Sequence, residues 1–187
     1  GAVYFAQNML AARGDELRGK ACLVSGAGNV AIYTIEKLYE LGAKPITCSD
    51  SRGTIHDKNG IDLGLLKRLK EVQRTSLEDY LHEYPDAHYI SVRDYPLDGH
   101  SVWHIQADAA FPCATQNELT ASDAETLLAN GITCISEGAN MPSTKEAVDL
   151  FLNAKIAYGP GKAANAGGVA TSQLEMAQNS SMEQWSL

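Results

Sequence analysis

A glycine-rich turn near the start of the chain has the residue types that bind a phosphate group. Six residues beginning at Gly26 read Gly-Ala-Gly-Asn-Val-Ala, which is the pattern G-x-G-x-x-A. In a dinucleotide-binding turn, Gly26 permits a tight turn, Gly28 lets a pyrophosphate approach the backbone, and Ala31 allows a helix to pack closely on a strand. The helix that follows would present free N–H groups and its dipole to the phosphates, so Asn29 and Val30 are also predicted to contact the cofactor.

An acidic residue at the end of the next predicted strand bears on the choice of cofactor. Asp50 follows Gly26 by 24 residues (50 − 26 = 24), close to the spacing of about 20 that is typical of a ribose-binding acid. An acid there favours NAD, because it repels the 2′-phosphate of NADP. Ser51 and Arg52 follow immediately, however, and both side chains can bind phosphate oxygens. From these residues alone, NAD and NADP are equally supported.

Three later loops each place an amide side chain among small residues, and each follows a predicted strand. The amides are Gln116 and Asn117 in the first loop, Asn140 in the second and Asn165 in the third. Ligands of open parallel sheets lie outside the carboxyl ends of the strands. Amides there would fix the carboxamide and the ribose hydroxyls of a cofactor. Alternatively, each Asn only forms a turn or caps a helix, but three loops at equivalent positions favour cofactor binding.

Alternating strands and helices must position these loops. Short apolar runs predict strands at 21–25, 45–48, 88–92, 102–110, 132–136 and 156–158. Helical periodicity predicts helices at 3–10, 30–41, 61–73, 77–83, 122–130 and 143–153, and a last helix from about Val169. Ser122 is expected to cap one helix, and Ser143 with Glu146 to form a capping box on another. The segment 51–60, rich in Gly, Asp and Asn, is predicted to contain turns.

This order of elements predicts an α/β fold, because strands that alternate with helices form right-handed crossovers and a parallel sheet. With the glycine motif at the first strand–helix turn, we expect a doubly wound, mostly parallel sheet of the Rossmann type that binds a dinucleotide. The 187 residues are enough for one such domain, spanning 1–187.

Composition narrows the partners and the compartment. A formal net charge of −8 argues against nucleic acid or an anionic membrane as a partner, since both need clustered basic residues. The four cysteines have neither zinc-site nor C-x-x-C spacing, so we expect no metal site and four reduced core thiols. No apolar run is long enough to span a membrane, and no basic leader is present. We therefore expect a cytoplasmic protein. Because the chain begins without an initiator Met and residues 3–10 already have helical periodicity, we also expect that its N-terminus is cut from a longer polypeptide.

Taken together, four segments of the chain resemble the glutamate dehydrogenase family. They are the glycine turn at 26–31 and the segments 112–118, 137–142 and 162–169. The residues Cys-Ala-Thr-Gln-Asn-Glu at 113–118 and Met-Ala-Gln-Asn at 176–179 resemble its hexameric, NADP-specific, largely bacterial branch. Leucine- and phenylalanine-type dehydrogenases share the architecture, but their phosphate loops usually carry Gly where this chain has Ala31.

The resemblance implies reversible, NADP(H)-dependent reductive amination of 2-oxoglutarate with ammonia to give L-glutamate. It also implies a homohexamer in the full-length enzyme. Asn29 would contact the cofactor, and Asn140 and Asn165 would lie near its nicotinamide. Ser172 would contact the side-chain carboxylate of the substrate, a task suited to a hydroxyl donor.

The resemblance places the family's catalytic Lys and Asp in an N-terminal domain outside this chain. We therefore expect no catalytic residue in the chain, and no activity from it in isolation. Two alternatives remain open, namely a stand-alone NAD(P)-binding regulatory module and an inert structural fragment. A catalytic-domain sequence directly upstream in the native gene product would favour the enzyme.

Overall fold

The computed structural model describes residues 1–165, and every statement about structure refers to that part of the chain. Its strands are β1 Ala21–Val24, β2 Lys44–Pro45, β3 Thr47–Ser49, β4 Gly53–His56, β5 His88–Ser91, β6 Ala109–Phe111, β7 Cys134–Ser136 and β8 Ala157–Gly159. Its α-helices are α1 Ala2–Ala11, α2 Asn29–Glu40, α3 Leu63–Lys67, α4 Ala121–Ala129, α5 Lys145–Asn153 and α6 Gly161–Ala164. A π-helical segment at Arg68–Gln73 continues α3, and 3-10 helices lie at Leu77–His82, Val92–Asp94 and Ser101–His104.

Five parallel strands form the main sheet, in the order β2-β1-β6-β7-β8. The chain leaves β1 toward β2 on one side and later returns to β6 on the other side of β1. The strand order therefore reverses between β1 and β6, and a crevice at that point is the usual ligand site of an open α/β sheet.

Helices cover both faces of the main sheet, as the alternation of side chains along β1 shows. Cys22 and Val24 belong to the core that also contains residues of α1 and α2. Leu23 points to the opposite core, which contains residues of α4 and α5. The central strands β1, β6 and β7 are thus buried on both faces along almost their whole length, which explains their nearly unbroken apolar runs. The predicted mostly parallel sheet is confirmed.

A second, antiparallel sheet consists of β3, β4 and β5. The strand predicted at 88–92 is present as β5, whereas the predictions for 45–60 are corrected. The predicted strand at 45–48 is interrupted at Ile46, and only β2 belongs to the parallel sheet. The segment predicted as turns contains β4, whose Gly53 lies so close to β5 that an added Cβ would be 2.5 Å from the Ile90 carbonyl oxygen. Glycine occurs in turns, but it also occurs where two strands pack closely, as here. Its presence therefore does not by itself indicate a turn.

The strand predicted at 102–110 is present only at its end, as β6. Val102 and Trp103 are fully buried but lie in a 3-10 helix, and only the last part of the segment extends into β6. A short apolar run does not distinguish a buried strand from a buried helical turn. Likewise, the helix predicted at 61–73 divides into α3 and the π-helical segment, and that at 77–83 is a 3-10 helix.

Both predicted helix caps are displaced from their true positions. Thr120 caps α4 in a capping box with Asp123, and Thr144 caps α5 by accepting from the Ala147 N–H. Ser122 lies inside α4, and the Ser143 hydroxyl is buried with no hydrogen-bond partner among the described residues. In each case a nearby Thr, and not the predicted Ser, immediately precedes the helix. The sequence pattern does not distinguish these two hydroxyl residues.

The four cysteines are buried and unpaired, as predicted. Within residues 1–165, no helix combines the length and apolar character that crossing a membrane requires.

Candidate functional site

The glycine turn between β1 and α2 is held in one conformation from both sides. Gly26 has φ +85°, and an added Cβ would lie 3.1 Å from the Cys113 carbonyl oxygen. Ser49 exchanges two hydrogen bonds with it, since its hydroxyl accepts the Gly26 N–H at 2.8 Å and its N–H donates to the Gly26 carbonyl at 3.1 Å. The positive φ and the close contact with the β6 loop both require glycine at position 26.

At the end of β1, buried side-chain hydroxyl groups bond to backbone groups and link this strand to β3 and to the loop after β6. The Thr47 hydroxyl accepts the Val24 N–H at 2.9 Å and donates to the Val24 carbonyl at 3.0 Å. On the other side, the Ser25 hydroxyl accepts the Cys113 N–H at 2.8 Å. These fully buried hydroxyls satisfy backbone groups that would otherwise be unpaired, and they fix the turn against β3 and β6.

Gly28, at the start of α2, faces open space. Its φ of −89° is accessible to any residue, and among residues 1–165 an added Cβ would meet no atom within 4 Å beyond its chain neighbours. The first turn of α2 carries no acidic residue, and Gly28 supplies no side-chain cap. The free N–H groups and the positive end of the helix dipole are therefore exposed, which fits the binding of a phosphate.

Three adjoining cavities follow the carboxyl edge of the parallel sheet. The central one, of about 710 Å³, lies in the crevice between β1 and β6, where Gly26, Gly28 and Ala114 line it. It shares Ser51 and Val92 with a second cavity of about 480 Å³, and it shares Val30 with a third of about 330 Å³. Each volume is typical of a ligand site, and the three adjoining cavities are together called the groove.

Aromatic rings line one part of the central cavity, and sequence analysis did not identify them. Tyr95 and His100 have ring centroids 4.6 Å apart, and Val92 lines the cavity beside them. Burial lowers the pKa of His100 to about 4, so its imidazole is neutral at neutral pH. The resulting uncharged wall suits a flat heteroaromatic ring.

Asp50 lies at the base of the hairpin that joins β3 to β4, and two groups engage its carboxylate. Oδ1 accepts the N–H groups of Arg52 at 2.9 Å and Gly53 at 3.3 Å. Oδ2 pairs with the ammonium group of Lys70 at 2.8 Å. Lys70 is not predictable from the sequence, because nothing in its local pattern indicates that the π-helical segment returns to Asp50.

Ser51 and Arg52 form the exposed tip of that hairpin and line the second cavity. Ser91 and Arg93 line the same cavity from β5 and the 3-10 helix that follows it, as do the acidic residues Glu78 and Asp94. Within residues 1–165, neither guanidinium group forms a salt bridge. Both are therefore available to an anionic ligand, although sequence analysis identified only Arg52.

The loop after β6 presents different residues to the groove from those that were predicted. Gln116 and Asn117 are exposed, whereas Ala114, Thr115 and Glu118 line the central cavity. One oxygen of Glu118 accepts the N–H groups of Ala114 at 2.9 Å and Thr115 at 3.3 Å, which folds the loop onto itself. Burial raises the pKa of Glu118 to about 7, so this carboxyl is partly protonated at neutral pH.

The structure brings together Asn140 and Asn165, 25 residues apart in sequence. The side-chain N–H of Asn165 donates to the side-chain oxygen of Asn140 at 2.9 Å, and Asn165 lines the third cavity. Buried Glu137 holds this arrangement, because it accepts the Gly161 N–H at 2.7 Å and the Tyr158 hydroxyl at 2.8 Å. The predicted Ser172 and the last predicted helix lie outside the described residues.

A family model described as Glutamate/Leucine/Phenylalanine/Valine dehydrogenase matches residues 1–187 of the chain. The chain belongs to this dehydrogenase family. It is 61% identical over 186 residues to the NADP-specific glutamate dehydrogenase of Helicobacter pylori, a match that covers 100% of this chain and 42% of the relative. It is 52% identical over 188 residues to the NAD(P)-specific glutamate dehydrogenase of Xylanibacter ruminicola, covering 99% of this chain and 40% of the relative.

Solved structures of the dehydrogenase family have the same fold. The glutamate dehydrogenase of Plasmodium falciparum matches with a TM-score of 0.87 and 40% identity, over 99% of this chain and 39% of that protein. The chain therefore spans about two fifths of the length of the relatives that it matches. In this dehydrogenase-family chain, the described groove offers N–H donors, cationic side chains and amides, a set of groups suited to binding and orienting a ligand.

Proposed function

We propose that the chain is the Rossmann-type, NADP-binding domain of a glutamate dehydrogenase. The full-length enzyme would catalyse the reversible reductive amination of 2-oxoglutarate with ammonia to L-glutamate. One observation carries this proposal, namely the three adjoining cavities that extend from the hairpin tip past the open helix N-terminus at Gly28 to Asn165, whose side chain is bonded to Asn140. The names of the relatives, which are NADP- or NAD(P)-specific glutamate dehydrogenases, support it.

The groove divides into subsites for the parts of the cofactor. The segment from Gly26 to Val30 would hold the pyrophosphate, because the missing side chain at Gly28 leaves room for it. Tyr95 and His100 would hold the adenine, and Ser51 and Arg52 would hold the 2′-phosphate. Asn140 and Asn165 would hold the nicotinamide end.

The cofactor supplies the hydride chemistry when it is bound, and the residues of this chain position it. The Asn140 and Asn165 amides orient the nicotinamide end, and Glu137 holds the loop that carries Asn165 through the Gly161 N–H. Gln116 and Asn117 remain predicted contacts. Because their side chains are exposed next to the groove-lining residues of the same loop, they would contact the cofactor from the rim. Ser172 is proposed to contact the substrate carboxylate.

Proton transfer is assigned to a part of the enzyme outside this chain. The domain 1–187 would supply the cofactor, and a further domain would supply the catalytic Lys and Asp. A match over only 42% of the Helicobacter pylori relative supports this division. The full-length enzyme is proposed to be a homohexamer, and the four unpaired cysteines support a reducing compartment such as the cytoplasm.

The alternative, a regulatory module that binds NAD(P) without catalysis, is less well supported, because the curated relatives named above are dehydrogenases. Coupled assays distinguish the two. The full-length protein should oxidise NADPH when 2-oxoglutarate and ammonia are both present. The isolated chain should not exceed a buffer blank, because orientation and general acid–base catalysis each contribute orders of magnitude to the rate.

Two outcomes would contradict the proposal. NADPH binding by the full-length protein without turnover would favour the regulatory module. Turnover by the isolated chain would refute the assignment of the catalytic residues to another domain.

A further inference from the structure

The Asp50–Lys70 salt bridge is more shielded from solvent than the other lysine and arginine salt bridges among residues 1–165. The two side chains are 15% and 23% exposed, whereas each of the other pairs has at least one partner that is 40% exposed or more. Salt and water screen a half-buried pair less than an exposed one. The charge of Lys70 is therefore less screened at Asp50 than the charges of the more exposed pairs are at their partners.

Backbone structure holds Lys70 in this place. It lies within the π-helical segment Arg68–Gln73, which ends at Arg74 with φ 54°. The Thr75 N–H donates to the Leu69 carbonyl at 3.0 Å, and the Lys70 ammonium group donates to the Thr75 carbonyl at 3.3 Å. Single π-helical turns are rare and frequently occur at functional sites. This one aims a lysine at the base of the hairpin that carries Ser51 and Arg52.

Each oxygen of the Asp50 carboxylate is engaged within the protein. Oδ1 accepts the N–H groups of Arg52 and Gly53 and so shapes the hairpin tip, while Oδ2 pairs with Lys70. A free acid in this position would bind a ribose 2′-hydroxyl and repel a 2′-phosphate. Here the carboxylate is directed away from that role and its charge is balanced.

We propose that Lys70 determines cofactor specificity by neutralising Asp50, so that the hairpin tip accepts a 2′-phosphate. Lys70 acts through Asp50 as a positioning and charge-balancing residue, while Ser51 and Arg52 contact the phosphate. This inference rests on the proposed NADP-binding function. It resolves the conflict between an acid that disfavours the 2′-phosphate and the basic and hydroxyl side chains that follow it.

Calorimetric titration of the full-length protein tests the inference with two probes, adenosine 2′,5′-bisphosphate and AMP. Lys70→Met should weaken binding of the bisphosphate at least tenfold and change binding of AMP less than twofold. Lys67→Met is the matched control, because it removes the same charge three residues earlier, where the ammonium group pairs with Glu36 instead. It should leave both affinities unchanged.

The Asp50→Asn background separates the proposed role from a structural one. Asn keeps an oxygen that can accept the Arg52 and Gly53 N–H groups, but it has no charge to balance. In this background Lys70→Met should change the affinity for the bisphosphate less than twofold, and Lys70→Arg in the wild-type background should retain most of it. Because Asp50→Asn removes the partner charge, the double variant is expected to fold even if Lys70→Met alone is destabilised.

The outcomes are distinguishable. Equal losses for the two probes would overturn the inference in favour of a structural role. A tenfold loss that persists with Asp50→Asn would overturn the action through Asp50. If the wild-type protein did not prefer the bisphosphate to AMP, the NADP assignment itself would be wrong, and the inference would fail with it.

Discussion

The site that we propose for the ADP half of the cofactor has two ends, the glycine turn and the β3–β4 hairpin, which are built by different kinds of interaction. At the phosphate end, buried hydroxyls of Ser25, Thr47 and Ser49 bind backbone groups of strands that already lie side by side. At the adenosine end, an antiparallel hairpin is held by side chains from distant segments, such as Lys70 on Asp50 and the Tyr80 hydroxyl on Asp57. The phosphate end thus depends on fixed backbone geometry, whereas the adenosine end can be adjusted by changing charges.

This difference predicts distinct responses to substitution. Changes at the phosphate end should affect NADP and NAD alike, because both carry the pyrophosphate. Changes at the adenosine end should discriminate between them, because only NADP carries the 2′-phosphate.

Gly28→Val should weaken binding of both nucleotides at least a hundredfold and leave the melting temperature nearly unchanged. The added side chain would occupy the open space at the N-terminus of α2, and the backbone conformation there accommodates valine. Gly26→Val is the contrasting variant, since its φ of +85° and the contact with Cys113 should also make the protein unstable. Thermal melting and calorimetry measure the two effects. Tight binding by Gly28→Val would exclude this helix end as the pyrophosphate site.

Ser49→Ala should lower the free energy of unfolding by up to about 3 kcal/mol, because it leaves the buried Gly26 N–H without its partner. The looser turn should weaken NADP and NAD equally. Thr126→Ala is a suitable control, since its hydroxyl lies on the exposed surface of α4 and bonds only within that helix. Urea unfolding measures the stability difference. If Ser49→Ala affected one nucleotide only, the proposed division of the groove would be wrong.

Glu118, at the phosphate end, should make the free energy of unfolding of the protein depend on pH. Burial raises its pKa to about 7 from an ordinary value of 4.5, so folding favours the protonated form. The stabilisation is complete below pH 4.5 and is lost as pH rises through 7. In urea unfolding, Glu118→Gln should therefore gain about 2 kcal/mol relative to wild type between pH 5 and pH 8. The exposed Glu125→Gln serves as the control, and a gain that did not grow with pH would contradict the burial argument.

The same division explains how much could be predicted from sequence. The phosphate turn follows from a short motif, since Gly26, Gly28 and Ala31 act within one strand–turn–helix unit. The parallel sheet likewise follows from apolar runs buried on both faces. The adenosine end could not be predicted for two reasons. Gly53 suggests a turn in the sequence, but in the structure it allows close packing of two strands. Lys70 contacts Asp50 only through tertiary folding. Arg93, Tyr95 and His100 reach the groove from a segment with no periodic pattern, and Asn140 and Asn165 were predicted from their loops but not as a bonded pair.

Arg52→Ala has the smallest expected effect and tests the adenosine end most directly. The Arg52 guanidinium lies at the exposed hairpin tip and has no salt bridge to lose among residues 1–165, so stability should not change. A charge-assisted bond to the 2′-phosphate should be worth about tenfold in affinity, or about 1.4 kcal/mol. NADP binding should weaken by that factor, and NAD binding should stay nearly constant. Arg93→Ala, in the same cavity, shows whether the second guanidinium shares the phosphate. Calorimetric titration of both nucleotides against each variant decides the matter, because equal losses for NADP and NAD would remove Arg52 from the role.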